Sequence, residues 1–109
     1  KYRNKKIKVG EITKKNKKEY KRYEELRILE FSKRIKDLEL QPTYQIKIND
    51  QLICKYVGDF RYKEGNKTIV EDVKSEITRK NPVYRLKKKL MKAVYGIDVK
   101  ETWFAISVI

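Results

Sequence analysis

Tyr56-Val57-Gly58-Asp59-Phe60-Arg61-Tyr62 and Ile69-Val70-Glu71-Asp72-Val73-Lys74 decide how this chain folds. Both runs are rich in β-branched and aromatic residues, and Glu64-Gly65-Asn66 between them is a turn signal. They read as an antiparallel hairpin. With a loop over residues 64–67, Asp59 falls opposite Asp72. Side chains alternate along a strand, so Asp72 and Lys74 share one face while Ile69, Glu71 and Val73 share the other. Two carboxylates and a lysine therefore converge on one patch of sheet.

On the N-terminal side, residues 38–48 alternate with period two, with Leu38, Leu40, Tyr44, Ile46 and Ile48 on one face. Pro42 belongs at an edge or bend, and Asn49-Asp50 is a turn. Residues 52–62 form a second strand region, where Gly58 marks a bulge, and 68–74 form a third. Upstream, Asn16 and Glu19 have the spacing of a capping box, which predicts a helix over 17–32 with Glu19, Tyr23, Leu26 and Glu30 on one stripe. Residues 1–16 are basic and read as an arm or a short hairpin around Val9-Gly10.

On the C-terminal side, Asn81-Pro82 opens a second helix and Gly96 ends it. Val83, Leu86, Leu90 and Val94 are expected to face the core. Residues 97–109 read as a last strand. The order is αβββαβ in a single domain over 1–109: a three-strand meander, then a crossover, hence α/β or α+β.

The chain has 109 residues, with 29 Lys plus Arg against 15 Asp plus Glu, a net charge of +14. It has no histidine and one cysteine. A histidine base, a Ser-His-Asp triad, a His-ligated zinc, an internal disulfide and a CxxC pair are all excluded. The charge points to nucleic acid, whose phosphates release counterions on meeting basic surfaces; a lysine-rich composition without functional meaning is the plainer reading. The longest apolar run is far short of the ~20 residues that a membrane span needs, so no membrane association is expected. Cys54 reads as a small buried hydrophobe in a reducing compartment.

Two close carboxylates repel unless a cation sits between them. Mg²⁺ suits such a pair, and a lysine two residues on can act on a metal-bound water or on phosphate charge. This is the chemistry of metal-assisted phosphodiester hydrolysis, and it needs no imidazole. The plainer alternative is a solvated ladder of charges on an exposed hairpin face. Glu19 likewise has two readings, a helix cap or a third carboxylate reaching the same patch.

With these residues in view, the chain resembles the PD-(D/E)XK nuclease superfamily, and more closely a family of small phage and prophage proteins within it. The resemblance rests on Lys17-Lys18-Glu19 with Arg22, Tyr23 and Leu26, on Leu38-Glu39-Leu40-Gln41-Pro42, and on Asp59-Phe60-Arg61-Tyr62. It continues through Glu71-Asp72-Val73-Lys74, Tyr84-Arg85-Leu86-Lys87-Lys88-Lys89-Leu90 and Gly96-Ile97. It covers roughly residues 1–101, and Thr102 onward is outside it. Gly58 stands where that family usually has proline, Asn16 where it has serine, and Lys14 where it has phenylalanine.

The resemblance implies a restriction-endonuclease-like αβββαβ core, a central mixed sheet flanked by helices. It implies a Mg²⁺- or Mn²⁺-dependent DNA endonuclease with Glu19, Asp59, Asp72 and the Val73 main-chain carbonyl as metal ligands and Lys74 as the catalytic lysine. Gln41 would line the site. Holliday junction resolvases and other branched-DNA endonucleases are related phage enzymes. The role implied is therefore DNA recombination in the cytoplasm of a bacterial host, with a homodimer favoured by symmetric substrates. Lys17, Lys18, Arg85, Lys88 and Lys92 are the expected DNA contacts, through phosphates rather than bases. Two other functions fit the composition. One is a non-catalytic DNA-binding module. The other is a protein-interaction factor acting on a nucleic-acid-bound host complex through residues 103–109.

Overall fold

The computed structural model describes the backbone of residues 14–103 and the side chains of 17–102. Of the arm or hairpin expected over 1–16, residues 14–16 are instead the start of a helix and 1–13 lie outside the described residues, as do residues 104–109 assigned to the last strand. The elements are helix α1 (Lys14–Phe31), strands β1 (Lys36–Leu40), β2 (Thr43–Ile48), β3 (Gln51–Val57), β4 (Phe60–Glu64) and β5 (Lys67–Lys74), helices α2 (Glu76–Arg79) and α3 (Pro82–Tyr95), and strand β6 (Lys100–Trp103).

The fold is mixed α and β. A four-stranded sheet runs β1-β4-β5-β6, antiparallel except for the parallel β5–β6 pair, and β2–β3 form a separate two-stranded ribbon. Without the ribbon and the four-residue helix α2 the order is the expected αβββαβ. The two long strands expected over 38–48 and 52–62 are each broken in the middle. Gln41 takes a positive φ of 53°, and Pro42 and Gly58 turn the paired chains out of the sheet together. Two bonds keep the pairing continuous through the bend: Gln41 N–H to the Asp59 carbonyl (2.9 Å) and Gly58 N–H to the Pro42 carbonyl (3.0 Å). A proline at position 58 would lose the second bond. Any Cβ there would also sit 3.0 Å from Val70 Cγ1, so the close packing of the bend favours glycine.

Local chemistry explains the turns. Asn49 and Asp50 both have positive φ (52° and 66°), which a type I′ hairpin turn requires. Gly65 takes φ 64° between β4 and β5. Helix α1 begins at Lys14, so Asn16 lies within the helix and is not its cap. Its C-terminus closes with Arg34 N–H bonded to the Leu29 carbonyl (2.9 Å) and Lys33 N–H to that of Glu30 (3.0 Å), with Lys33 left-handed at φ 67°. This is a Schellman closure. Helix α3 has the expected caps: the Asn81 side chain accepts from Tyr84 N–H, Pro82 sits at the first position, and Gly96 is left-handed.

The sheet is covered on both faces. On one, Leu26 of α1 packs with Ile35, Phe60, Tyr62 and Val73. On the other, Tyr84 and Met91 of α3 pack with Val70, Val99 and the ribbon residues Ile46 and Tyr56. Cys54 is half-buried at the margin of this second cluster, not fully buried. Helix α3 is rotated from the expected orientation: Val83, Leu86 and Val94 are exposed and Leu90 is half-buried. Tyr84 and Met91 take the inward positions, and the Tyr84 hydroxyl reaches Glu101 on β6 (2.8 Å). Arg61 Nη1 donates to the Tyr44 hydroxyl (2.8 Å) and the Tyr95 hydroxyl to the Gln45 carbonyl (2.6 Å), so the ribbon is held from both β4 and α3.

Candidate active site

The β4–β5 register pairs Phe60 with Glu71 and Glu64 with Lys67. Continued by one residue, it sets Asp59 opposite Asp72, as the loop length implied. Asp59 N–H donates to the Glu71 carbonyl (2.9 Å), and the Asp59 carboxylate accepts from Val73 N–H (2.7 Å). Both aspartates are buried, at 8 % and 2 % exposure, and Lys74 follows on the face of Asp72, half-buried. These are not the solvated charges of an exposed ladder.

Burial disfavours the charged form of Asp72, and the negative charge of Asp59 beside it does the same. The Tyr56 hydroxyl, which donates to Asp72 Oδ2, and the Lys74 ammonium pull the other way. The net effect raises its carboxyl from 3.8 to about 7. Tyr56 itself is pushed well above the usual phenol range, by burial first and then by the charge of Asp72, so it remains a donor. Lys74 Nζ lies 4.0 Å from the centre of the Tyr84 ring, a cation–π contact that fixes the ammonium close to the acid pair.

Glu19 is buried at 4 % on α1, one turn from Arg22 on the stripe facing the sheet. That helix packs on the Glu71 face, whereas Asp59 and Asp72 belong to the face of α3. Among the described residues no group of three or more carboxylates has the closeness needed to hold a metal ion. The structure thus brings Asp59, Asp72, Val73 and Lys74 together and sets Glu19 on the helix behind them. Gln41 is exposed, and its backbone bonds to that of Asp59 at the edge of the site. Of the expected phosphate contacts, Lys17, Arg85 and Lys92 are exposed, and Lys18 and Lys88 are half-buried. Lys88 pairs with Glu101 (3.2 Å) and Lys92 with Asp98 (3.0 Å).

Four groups escaped the sequence reading. Glu71, fully buried, accepts from Arg22 Nε (2.9 Å) and Nη2 (2.7 Å), from Thr102 Oγ1 (2.7 Å) and from the Tyr62 hydroxyl. Burial alone would raise its pKa, but these donors outweigh it and the net shift is downward. Glu101 lies in register with Asp72 on the parallel strand β6. Tyr84 bonds Glu101 and carries the Lys74 contact, and Tyr56 caps Asp72 from the ribbon. Tyr56, Glu71 and Tyr84 stand within motifs that the sequence marks, but nothing in those motifs assigns them these partners, and Glu101 has no such signal. Parallel pairing across a helical crossover leaves no trace in spacing.

The donors available are hard oxygens. Mg²⁺ needs only one or two protein carboxylates, with water and substrate phosphate completing its shell. The buried like-charged pair, with one acid forced toward neutrality, is what such an ion would relieve, so the residues fit it.

A family model described as Protein of unknown function (DUF1064) matches residues 1–108. No curated protein and no solved structure gives a match.

Proposed function

The chain belongs to the DUF1064 family, and we propose that it is a Mg²⁺- or Mn²⁺-dependent DNA endonuclease of the PD-(D/E)XK type, of phage or prophage origin. Its natural substrates would be branched recombination intermediates, cut by a homodimer in the host cytoplasm. The observation that carries this reading is the buried Asp59–Asp72 pair on adjacent strands with Lys74 on the same face. Asp59, Asp72 and the Val73 carbonyl would hold the ion, which when bound supplies Lewis-acid polarisation of the phosphoryl oxygen. Lys74 stabilises charge developing on the phosphate, and Tyr84 holds its ammonium in place. Gln41 lines the edge.

A second reading has an observation in its favour. The Tyr56 hydroxyl already satisfies one Asp72 oxygen and Lys74 already has a ring partner, which suits a closed polar network in a DNA-binding module without catalysis. Calorimetric titration with Mg²⁺ and Mn²⁺ separates the two. The nuclease reading expects a binding isotherm for the wild type that disappears in Asp72→Asn. Equal binding in both proteins, or none in either, favours the non-catalytic module. A protein-interaction factor would be indicated if a host complex bound the chain and Asp72→Asn left that affinity unchanged.

A further inference from the structure

On the α3 side of the sheet a cleft of about 650 Å³ opens between the start of α2–α3 and β6. Arg79, Lys80, Arg85, Lys88, Lys89 and Lys92 line it, with Asp98 and Glu101. Ion pairs join Lys80 to Glu76 (3.6 Å), outside the lining, Lys92 to Asp98 and Lys88 to Glu101. Six cations against two carboxylates in the lining leave a formal excess of four. Arg85 and Lys89 are exposed and make no ion pair among the described residues.

The dimensions select the ligand. From Arg85 to Lys92 the helix advances about 10 Å at ~1.5 Å per residue. One strand of a B-form duplex presents a phosphate every ~3.4 Å of axis, so that length meets about three phosphates, within what the excess charge would neutralise. The inner end of the cleft is also placed to matter. Glu101 lies there, in register with Asp72 and bonded to Tyr84, whose ring carries Lys74.

We infer that this cleft binds about three consecutive backbone phosphates of one nucleic-acid strand and leads that strand to Asp72. The inference rests on the endonuclease reading for what happens at the inner end, but not for the binding itself. The Lys88–Glu101 and Lys92–Asp98 pairs orient two of the cations, while Arg85 and Lys89 are available to phosphate directly.

The test is the salt dependence of binding to a 20-base-pair duplex and to a four-way junction, in EDTA so that no cleavage occurs. Full-length wild type is compared with Arg85→Ala/Lys89→Ala and with Lys36→Ala/Lys63→Ala, a control pair facing each other across β1 and β4 at the other edge of the sheet. Removing two phosphate contacts should lower the slope of log K against log salt by about 1.8, with the melting temperature unchanged. The control pair should leave the slope as it is. Equal losses in the two variants, no change in either, or no binding by wild type overturns the inference. Asp72→Asn should keep the wild-type slope. In Mg²⁺, cleavage lost by Asp72→Asn with an intact slope supports the metal site, and cleavage as fast as wild type with an intact slope overturns that site while leaving the cleft standing.

Discussion

Asp72 in the metal-free protein keeps a proton that an unfolded chain has already released. Between its ordinary value of 3.8 and about 7 the folded state binds the extra proton, so stability falls as pH rises through that window and levels off above it. The loss across that window is on the order of 4 kcal/mol at ~1.4 kcal/mol per pKa unit, and the greater part of it falls above pH 5. Urea unfolding in EDTA at pH 5 and pH 8 should show this decline in wild type, and Asp72→Asn should flatten it. A wild type equally stable at both values would contradict the site's electrostatics. The facing of Asp59 and Asp72 was legible because strand alternation and the short loop are local. Tyr56 and Glu101 were not legible. One comes from a ribbon that folds back, and the other from a strand joined by a helical crossover, so neither contact is coded in spacing.

At the scale of elements, α1 is tied to the sheet by the Arg22–Glu71 pair. Arg22→Ala leaves a fully buried carboxylate with only the more distant Lys100 ammonium (3.8 Å) as a cation and should cost about 3–5 kcal/mol in urea unfolding. A cost below about 1 kcal/mol would show that Lys100, Tyr62 and Thr102 suffice to hold Glu71. The C-terminus of α1 carries an opposite opportunity. Lys33 is left-handed where glycine is the usual residue, and a side chain there is strained by ~1–2 kcal/mol. Lys33→Gly should therefore be stabilising by about 1 kcal/mol after its entropic cost, read as a raised urea midpoint with an unchanged slope. Caps and turns at Asn81, Gly96 and Asn49-Asp50 were legible because each is set by a few neighbouring residues. The breaks at Gln41-Pro42 and Gly58-Asp59 were only half legible, since alternation continues through a bend that keeps its hydrogen bonds. The rotation of α3 was not legible because the aliphatic stripe of Val83, Leu86 and Val94 competes with that of Tyr84 and Met91, and the bond from Tyr84 to Glu101 on a strand distant in sequence favours the second.

Across the whole molecule the net charge is +14, and among the described residues Glu19, Asp59, Glu71 and Asp72 are buried while most other carboxylates share the surface with the lysines. Composition made the basic exterior legible, and the absence of histidine confined the chemistry to carboxylates and lysine. No helix among the described residues is long and apolar enough to cross a membrane. The measurement that tests the account most directly is cleavage of supercoiled, linear, single-stranded and four-way-junction DNA in Mg²⁺ by wild type, Asp72→Asn and Lys74→Ala at equal folded concentration. Metal-dependent cutting by wild type, at least ~100-fold slower in each variant, is the predicted result. Cutting by Lys74→Ala as fast as wild type, or no cutting of any substrate by wild type, would contradict it.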